Sequence, residues 1–176
     1  MDRLENYALR SYITRERLVD EVDMYLYLVH HAEAKPAETD PTRGLTAKGM
    51  ADARKVAAHV GKLSLDVKRI YHSGITRAHE TASILAAQLK PVKGVVEAAG
   101  LEPQDDPQIW HERLKELDEG TVLVGHLPHL RKLASLLLCG DPERIALHLK
   151  MGGVVCLRRL EENWSLEWAV PPELFS

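Results

Sequence analysis

The sequence predicts a three-layer α/β/α fold, in which a mainly parallel sheet carries helices on both faces and ends in an antiparallel element. From about residue 24, apolar strand patterns alternate with amphipathic helix patterns in the order β, α, β, α. That alternation is typical of parallel sheets. The end of the chain instead shows two consecutive strand patterns joined by a short polar turn, as in an antiparallel hairpin.

Composition indicates a soluble single domain. The 176 residues are 45% apolar and 28% charged, with a net charge of −3 of mixed signs, so neither nucleic acid nor an acidic membrane is indicated as a partner. No apolar run approaches the ~20 residues that span a bilayer, and the amino terminus lacks a signal peptide's apolar core. We therefore expect a cytoplasmic protein. Cys139 and Cys156 lie in apolar runs and are expected to be buried free thiols.

Residues 1–23 form a charged amino-terminal extension without a clear strand pattern. We expect either a short amphipathic helix around residues 15–19 or a mobile arm. A third alternative is that translation naturally starts at Met24, immediately before the first strand. The folded domain is expected to span residues 24–176.

The first strand is the most informative segment of the chain. Tyr25 to Val29 form an apolar run rich in aromatic and β-branched residues, which stops at His30, His31 and Glu33. This pattern predicts a buried strand with polar residues at its carboxyl end. Ligands of open α/β sheets bind at that end.

The remaining elements follow from local patterns. Thr46 is the predicted N-cap of a helix that ends at Gly61. Further predicted elements are strands over residues 68–72, 95–97 and 121–124, helices over 76–89, 109–117 and 130–138, and a hairpin of strands over 153–158 and 164–168 with its turn at 161–163.

Candidate functional groups follow three of these strands. His30 and His31 end the first strand, His126 follows another, and Ser73 precedes a helix whose first turn carries Arg77. If these strands lie side by side, the groups converge in one crevice. Imidazole, guanidinium and helix N–H groups together suit a phosphoryl group, and imidazole can attack phosphorus to form a covalent phosphohistidine.

At these residues the sequence resembles the histidine phosphatases, or phosphoglycerate-mutase-like superfamily, and within it the small SixA-like phosphohistidine phosphatases. The family's motifs are Arg-His-Gly, Leu-Thr-x-x-Gly, Ser-Pro-x-x-Arg-Ala-x-x-Thr and Gly-His-x-Pro. The matching segments, in the same order, are His30-His31-Ala32, Leu45-Thr46-Ala47-Lys48-Gly49, Ser73-Gly74-Ile75-Thr76-Arg77-Ala78-His79-Glu80-Thr81 and Gly125-His126-Leu127-Pro128.

The resemblance implies a phosphatase without metal or organic cofactor. His31 would be the nucleophile, and Arg77 and His126 would bind the phosphoryl group and stabilise its charge. The short chain is similar to SixA-like members, whose substrate is phosphohistidine on a partner protein. Larger relatives use a glutamate as general acid, for which Glu102 and Asp106 in an acidic loop are candidates.

Three positions depart from the family pattern. His30 stands in place of the arginine, Ala32 in place of the glycine and Gly74 in place of the proline. An arginine is always charged, whereas histidine is mostly neutral at pH 7. Losing one charge-assisted hydrogen bond costs about 1.5–3 kcal/mol, or roughly 10- to 150-fold in rate. His30 is expected to bind phosphate in a weakened enzyme.

Three other functions remain open. His30, His31, His126 and His129 could supply imidazoles to zinc or nickel, although Arg77 would repel a cation there. Loss of the arginine could leave a phosphate- or phosphoprotein-binding module without turnover. The substrate could also be a small phosphate ester.

Several residues also have a structural interpretation. Arg77 could pair with Glu80 or Asp52 on the surface, and Ser73 is favoured as a helix cap. Glu33 is expected to have a structural role, and Arg43 to be a solvated loop residue.

Overall fold

A central sheet of six strands organises the structure. The computed structural model describes residues 24–175, so the predicted extension lies outside the described residues. The strands are β1 (Met24–His30), β2 (Arg69–His72), β3 (Val95–Glu97), β4 (Thr121–Gly125), β5 (Val154–Leu160) and β6 (Asn163–Val170), and the helices in this part of the chain are α1 (Ala47–Gly61), α2 (Thr76–Leu89), α3 (Gln108–Lys115), α4 (His129–Cys139) and a short 3₁₀ helix (Pro172–Phe175).

The strand order is β3-β2-β4-β1-β5-β6. β1 pairs with β4, β4 with β2 and β2 with β3, all in parallel. β5 is antiparallel to both β1 and β6. The three strands that carry the candidate groups are therefore neighbours, and the predicted mainly parallel sheet with an antiparallel carboxyl-terminal element is confirmed.

Alternation along the strands divides the core into two layers. In β1, Tyr27 and Val29 face α1 and α2, whereas Leu26 and Leu28 face α3 and α4. Side chains of a strand alternate between the faces of its sheet, so both faces are apolar and both are covered. This gives the predicted three layers.

The start of α1 lies against the loop that follows β1. The Thr46 hydroxyl accepts a hydrogen bond from the Gly49 N–H at 2.9 Å, which confirms Thr46 as N-cap. A Cβ at Gly49 would lie 2.2 Å from the Glu33 carbonyl oxygen, so only glycine fits there. The Glu33 carboxylate in turn accepts from the Thr46 hydroxyl at 2.7 Å, which supports a structural role for Glu33.

Two details differ from the sequence predictions. Cys156 is a buried free thiol, but Cys139 is free and exposed, because it ends α4 beyond the last turn that packs on the sheet. The third helix ends at Lys115, two residues before the predicted end. None of the helices between residues 24 and 175 is long and apolar enough to cross a membrane.

Candidate active site

The carboxyl ends of the parallel strands bring together the predicted functional groups. His31 follows β1, His126 follows β4, and Arg77 lies in the first turn of α2 beside β2. The ring centroids of His31 and His126 are 4.9 Å apart. The Arg77 Nε–H donates to His31 Nε2 across 3.0 Å. The predicted convergence at one sheet edge is therefore present.

The hydrogen bonds of His31 fix its tautomer. Nδ1 lies 2.8 Å from the Ala32 carbonyl oxygen, which only accepts, so Nδ1 carries the proton. Nε2 faces the Arg77 Nε–H, a permanent donor, so Nε2 presents its lone pair. The pKa of His31 is lowered from 6.5 to about 4, chiefly by burial; the Ala32 hydrogen bond opposes this shift, and the charges of Arg77 and Arg43 add to it. At neutral pH the ring is neutral and nucleophilic at Nε2.

His126 is buried at the carboxyl end of β4, and its ring contacts the Ser73 hydroxyl. Only 1% of His126 is exposed, and its Nε2 lies 2.7 Å from Ser73 Oγ. Burial lowers the pKa of His126 to about 3, with contributions from the neighbouring His31 and Arg77. It too is neutral at pH 7.

Ser73 does not cap α2, so that prediction is wrong. The N-cap is Ile75, without a side-chain hydrogen bond. The Ser73 hydroxyl accepts from the Ile75 N–H at 3.4 Å while it contacts His126. The sequence underestimated Ser73 because a serine before a helix is usually a cap.

Thr81 links the loop that follows β1 to the helix that carries Arg77. Its hydroxyl donates to the Arg77 carbonyl oxygen at 2.7 Å and accepts from the Ala32 N–H at 3.0 Å. Thr81 is 1% exposed. It matched a family motif but received no role from the sequence, since this contact joins residues 49 positions apart.

The surface interpretation of Arg77 is not supported. The Glu80 carboxylate accepts from the Leu45 N–H at 2.7 Å, and Asp52 pairs with Lys48 at 2.6 Å. Both carboxylates are engaged elsewhere, and Arg77 forms no ion pair with any residue between 24 and 175. Its guanidinium is thus positioned for the pocket.

Arg43 lies closer to the pocket than a solvated loop residue would. Its side chain is exposed and its Nε–H donates to the Lys35 carbonyl oxygen at 3.3 Å. Its charge nevertheless contributes to the lowered pKa of both His31 and Arg77. Arg43 therefore adds positive potential at His31.

His30 packs edge-on against His31, with ring centroids 4.6 Å apart. It is 8% exposed, and its Nδ1 has no hydrogen-bond partner among the residues that the structure describes. Burial, His31 and Arg77 lower the pKa of His30 to about 4. The ring is neutral in the free site, and its contact with phosphate stays a prediction.

Comparisons with known proteins bear on this arrangement. The sequence profile of the histidine phosphatase superfamily (branch 1) matches residues 26–104. An uncharacterised protein of Picosynechococcus is 35% identical over 143 residues, which cover 77% of this chain and 85% of that protein. The chain belongs to the histidine phosphatase superfamily.

Solved structures of this superfamily share the fold. The protein histidine phosphatase SixA, complexed with tungstate, has a TM-score of 0.76 and 22% identity, covering 87% of this chain and all 100% of that chain. A SixA structure from Agrobacterium tumefaciens has a TM-score of 0.69 and 19% identity over 84% of this chain and 97% of that chain. Phosphoglycerate mutase from Plasmodium falciparum has a TM-score of 0.63 and 18% identity over 83% and 89%. The phosphoglycerate-mutase-like fold is thus confirmed.

The departure from the histidine phosphatase motif at Gly74 has a structural reason. Gly74 has φ of +84°, and a Cβ there would lie 2.7 Å from the carboxyl carbon of Glu97. Proline is confined to φ near −65° and cannot adopt this conformation. The loop after β2 therefore takes a path that requires glycine.

The two candidate acids of this superfamily member lie on the loop before α3. Both are exposed. The Glu102 N–H donates to Asp105 Oδ2 at 2.8 Å, and Asp106 Oδ1 accepts from the Gln108 N–H at 2.9 Å. Within residues 24–175 neither side chain is hydrogen-bonded to His31 or His126, so an acid role stays a prediction.

The alternative metal site was expected to include His129. His129 is fully buried at the start of α4, and burial lowers its pKa to about 4. Across residues 24–175, no group of three or more His, Cys, Asp or Glu side chains is arranged to hold a metal ion.

Proposed function

We propose that this histidine phosphatase hydrolyses phosphohistidine on a partner protein through a covalent phosphohistidine at His31. The observation that carries the proposal is the state of His31: a neutral ring, with its proton fixed on Nδ1 by the Ala32 carbonyl and its Nε2 lone pair facing the pocket beside Arg77. The likeness to SixA over that chain's whole length supports the same substrate class.

The first half-reaction transfers the phosphoryl group. The Nε2 lone pair of His31 forms a bond to phosphorus, and the electron pair of the breaking P–N bond leaves with the substrate imidazole. The Arg77 guanidinium, displaced from Nε2, donates to the phosphoryl oxygens. His126 adds a donor from the adjacent strand, since preorganised donors stabilise the charge of the transferring group.

The second half-reaction releases phosphate. Water attacks phosphorus, the P–Nε2 bond breaks, and its electron pair returns to His31 as the lone pair. The Ala32 carbonyl holds the Nδ1 proton throughout, so His31 departs from phosphorus as a neutral imidazole.

The chemistry of the leaving group favours a P–N bond over an ester at this site. An alkoxide is a poor leaving group and needs a general acid, whereas a phosphohistidine releases imidazole. Neither candidate acid is hydrogen-bonded to the catalytic histidines in the described part of the chain. A phosphohistidine is thus a better match to this site than a small phosphate ester.

The neutral state of His30 favours one alternative, a phosphate- or phosphoprotein-binding module with little turnover. In the free site the pKa of His30 is about 4 because of burial, His31 and Arg77, so it lacks the charge of an arginine. A bound phosphoryl dianion would favour the imidazolium form, which would partly restore that charge.

Single-turnover hydrolysis of a synthetic phosphohistidine peptide distinguishes these functions. We expect slow turnover by the natural protein, none by His31→Ala, and faster turnover by His30→Arg. The same rates in the presence of a chelator would agree with chemistry that needs no metal. Tight phosphate binding without turnover, even in His30→Arg, would instead establish the binding module. Turnover of sugar phosphates alone would establish a phosphomonoesterase.

A further inference from the structure

Glu97 ends β3 and has no role in the mechanism proposed above. β3 pairs with β2 in register, with Ile70 opposite Val95 and His72 opposite Glu97. Ile70 and Val95 pack in the core layer beneath α1 and α2. Because strand residues two apart share a face, Glu97 is placed on that same face.

The catalytic histidines lie on this face as well. His31 and His126 each follow by two residues a valine of the same core layer, Val29 and Val124. All four parallel strands thus end in a polar group at one edge and on one face. The carboxylate of Glu97 is the fourth of these groups.

Glu97 packs directly against the loop that holds His126. A Cβ at Gly74 would lie 2.7 Å from the Glu97 carboxyl carbon and from its Oε1. The absence of a side chain at Gly74 therefore lets the carboxylate approach this loop. The preceding residue, Ser73, contacts His126 Nε2 at 2.7 Å, so one loop separates the carboxylate from the catalytic imidazole.

The Glu97 carboxylate is available to a ligand. It forms no hydrogen bond and no ion pair with any residue from 24 to 175, and it is exposed. The titratable groups that face it are His72 on β2 and His79 on α2, whose rings are 4.9 Å apart. The charge of Glu97 raises the pKa of His72, against burial and His79, which lower it. His72 Nδ1 already accepts from the Gly74 N–H at 3.0 Å.

The order of strands places Glu97 beyond the phosphoryl position. His31, His126, His72 and Glu97 follow one another at the ends of β1, β4, β2 and β3. At about 4.8 Å between strands, β1 and β3 are roughly 14 Å apart. A phosphoryl group beside His31 and an imidazole beyond it fit into this span. An in-line displacement expels its leaving group on the side opposite the attacking nitrogen, so a ring that departs across β4 and β2 would move toward Glu97.

We propose that Glu97 determines specificity for phosphohistidine, by accepting a hydrogen bond from the N–H on the ring nitrogen of the substrate that is not phosphorylated. This inference rests on the proposed function. As His31 Nε2 bonds to phosphorus, the electron pair of the breaking P–N bond passes to the substrate ring. Because the other ring nitrogen keeps its proton, the ring leaves as neutral imidazole. Without that proton it would have to leave as an anion.

The test compares Glu97→Gln with the natural protein on two substrates. A phosphohistidine peptide carries the ring N–H, whereas p-nitrophenyl phosphate carries none and has a good leaving group. We expect kcat/KM for the peptide to fall on the order of 10- to 100-fold, as for loss of a charged hydrogen-bond partner. The rate on p-nitrophenyl phosphate should be unchanged. Glu97→Asp should recover part of the loss.

The pH profile adds a readout that a structural role would not change. With the peptide, activity should fall as the substrate ring loses its proton, and in Glu97→Gln this fall should move to lower pH. With p-nitrophenyl phosphate the two profiles should coincide. Glu162→Gln, in the turn between β5 and β6, is a matched control that should change neither rate.

Two outcomes would overturn the inference. Equal losses on both substrates would mean that Glu97 only maintains the loop at Gly74, and unchanged rates on both would mean that it does not contact the substrate. If the natural protein hydrolyses p-nitrophenyl phosphate but not the peptide, the proposed function fails and the inference fails with it. That result differs from a failure of the inference alone, in which the peptide is hydrolysed with or without Glu97.

Discussion

The Nε–H of Arg77 donates to Nε2 of His31 across 3.0 Å, so the guanidinium occupies the lone pair with which His31 attacks phosphorus in the proposed mechanism. Formation of the P–N bond uses the same lone pair, so the guanidinium must transfer its hydrogen bond to the phosphoryl group. This exchange requires a side chain with several donors that remains charged. Arginine has five N–H donors in a fixed plane, whereas lysine has a single ammonium group.

Arg77→Lys should therefore lower phosphatase activity although it keeps the charge. We expect kcat/KM to fall roughly 10- to 100-fold, since one charge-assisted hydrogen bond contributes about 1.5–3 kcal/mol. Steady-state kinetics on p-nitrophenyl phosphate would measure it. Arg144→Lys, on an exposed segment after α4, is the matched control. Equal activity of the two variants would contradict the role of the planar guanidinium.

Thr81→Val should disturb both stability and activity. The substitution keeps the shape but removes the hydroxyl that accepts from the Ala32 N–H and donates to the Arg77 carbonyl. An unsatisfied buried donor costs about 1–3 kcal/mol. Denaturant titration should show a loss of that size, and kcat should fall because the loop that follows β1 loses its anchor on α2. Thr81→Ser, which restores the hydroxyl, should recover most of both; a Ser variant as impaired as Val would assign the effect to packing.

Gly74→Ala should destabilise the protein chiefly through its positive φ, with a small excess because the flexible, exposed Glu97 carboxylate must move aside. Gly74 and Gly94 both have positive φ, at +84° and +74°, but a Cβ at Gly94 meets nothing within 4 Å. Gly94→Ala thus measures the conformational cost alone, and the excess cost at Gly74 measures the contact with Glu97. Removing the carboxylate in the double variant Gly74→Ala/Glu97→Ala should abolish that excess in thermal or denaturant unfolding. An excess that persists would place the contact elsewhere.

Stability should fall as the pH decreases from about 6.5 to 4. His31, His126 and His129 have pKa values lowered to about 4, 3 and 4 by burial, whereas unfolding restores a value near 6.5. The unfolded chain binds more protons in this window, so acid favours unfolding. The lowered pKa of one such histidine changes the free energy of unfolding by on the order of 3 kcal/mol over this pH range. Adjacent rings interact, so their contributions do not simply add.

Denaturant titrations at several pH values would measure this dependence. Asp40, whose pKa is lowered to about 2 mainly by its hydrogen bonds to Thr42 and Lys35, loses its contribution only below about pH 4 and is separable from the histidines. The ring nitrogens of His129 have no hydrogen-bond partner among the described residues. His129→Asn should therefore flatten the dependence of stability on pH between pH 6.5 and 4. Constant stability over that range would show that the histidines titrate alike in both states.

The sequence predicted most of the site because strand endings are local signals. The apolar run before His30 and the Gly-His sequence at residues 125–126 required only alternation and position. The contact of Ser73 with His126 depends instead on the path of the loop through Gly74, whose φ of +84° has no unambiguous sequence signal. Glu97 received no role from the sequence, because β3 is only three residues long and too short for its register to be inferred.

The pH dependence of activity should reveal whether His30 binds phosphate as a charged group, as an arginine at this position would. In the free site burial, His31 and Arg77 lower the pKa of His30 to about 4, so it is neutral at pH 7. A bound phosphoryl dianion stabilises the imidazolium form and raises that pKa in the complex. The charged fraction then decreases as the pH rises through the new value, and the stabilisation of the transferring group decreases with it.

Arginine keeps its charge over the whole accessible range, so His30→Arg should stay active where the natural protein declines. We expect kcat of the natural protein to fall more steeply above neutrality, by up to the roughly 10- to 150-fold that one charge-assisted hydrogen bond represents. Single-turnover rates of both proteins from pH 6 to 9, on p-nitrophenyl phosphate to avoid titration of a substrate imidazole, would measure it. Superimposable profiles would show that His30 fills space beside His31 without binding phosphate.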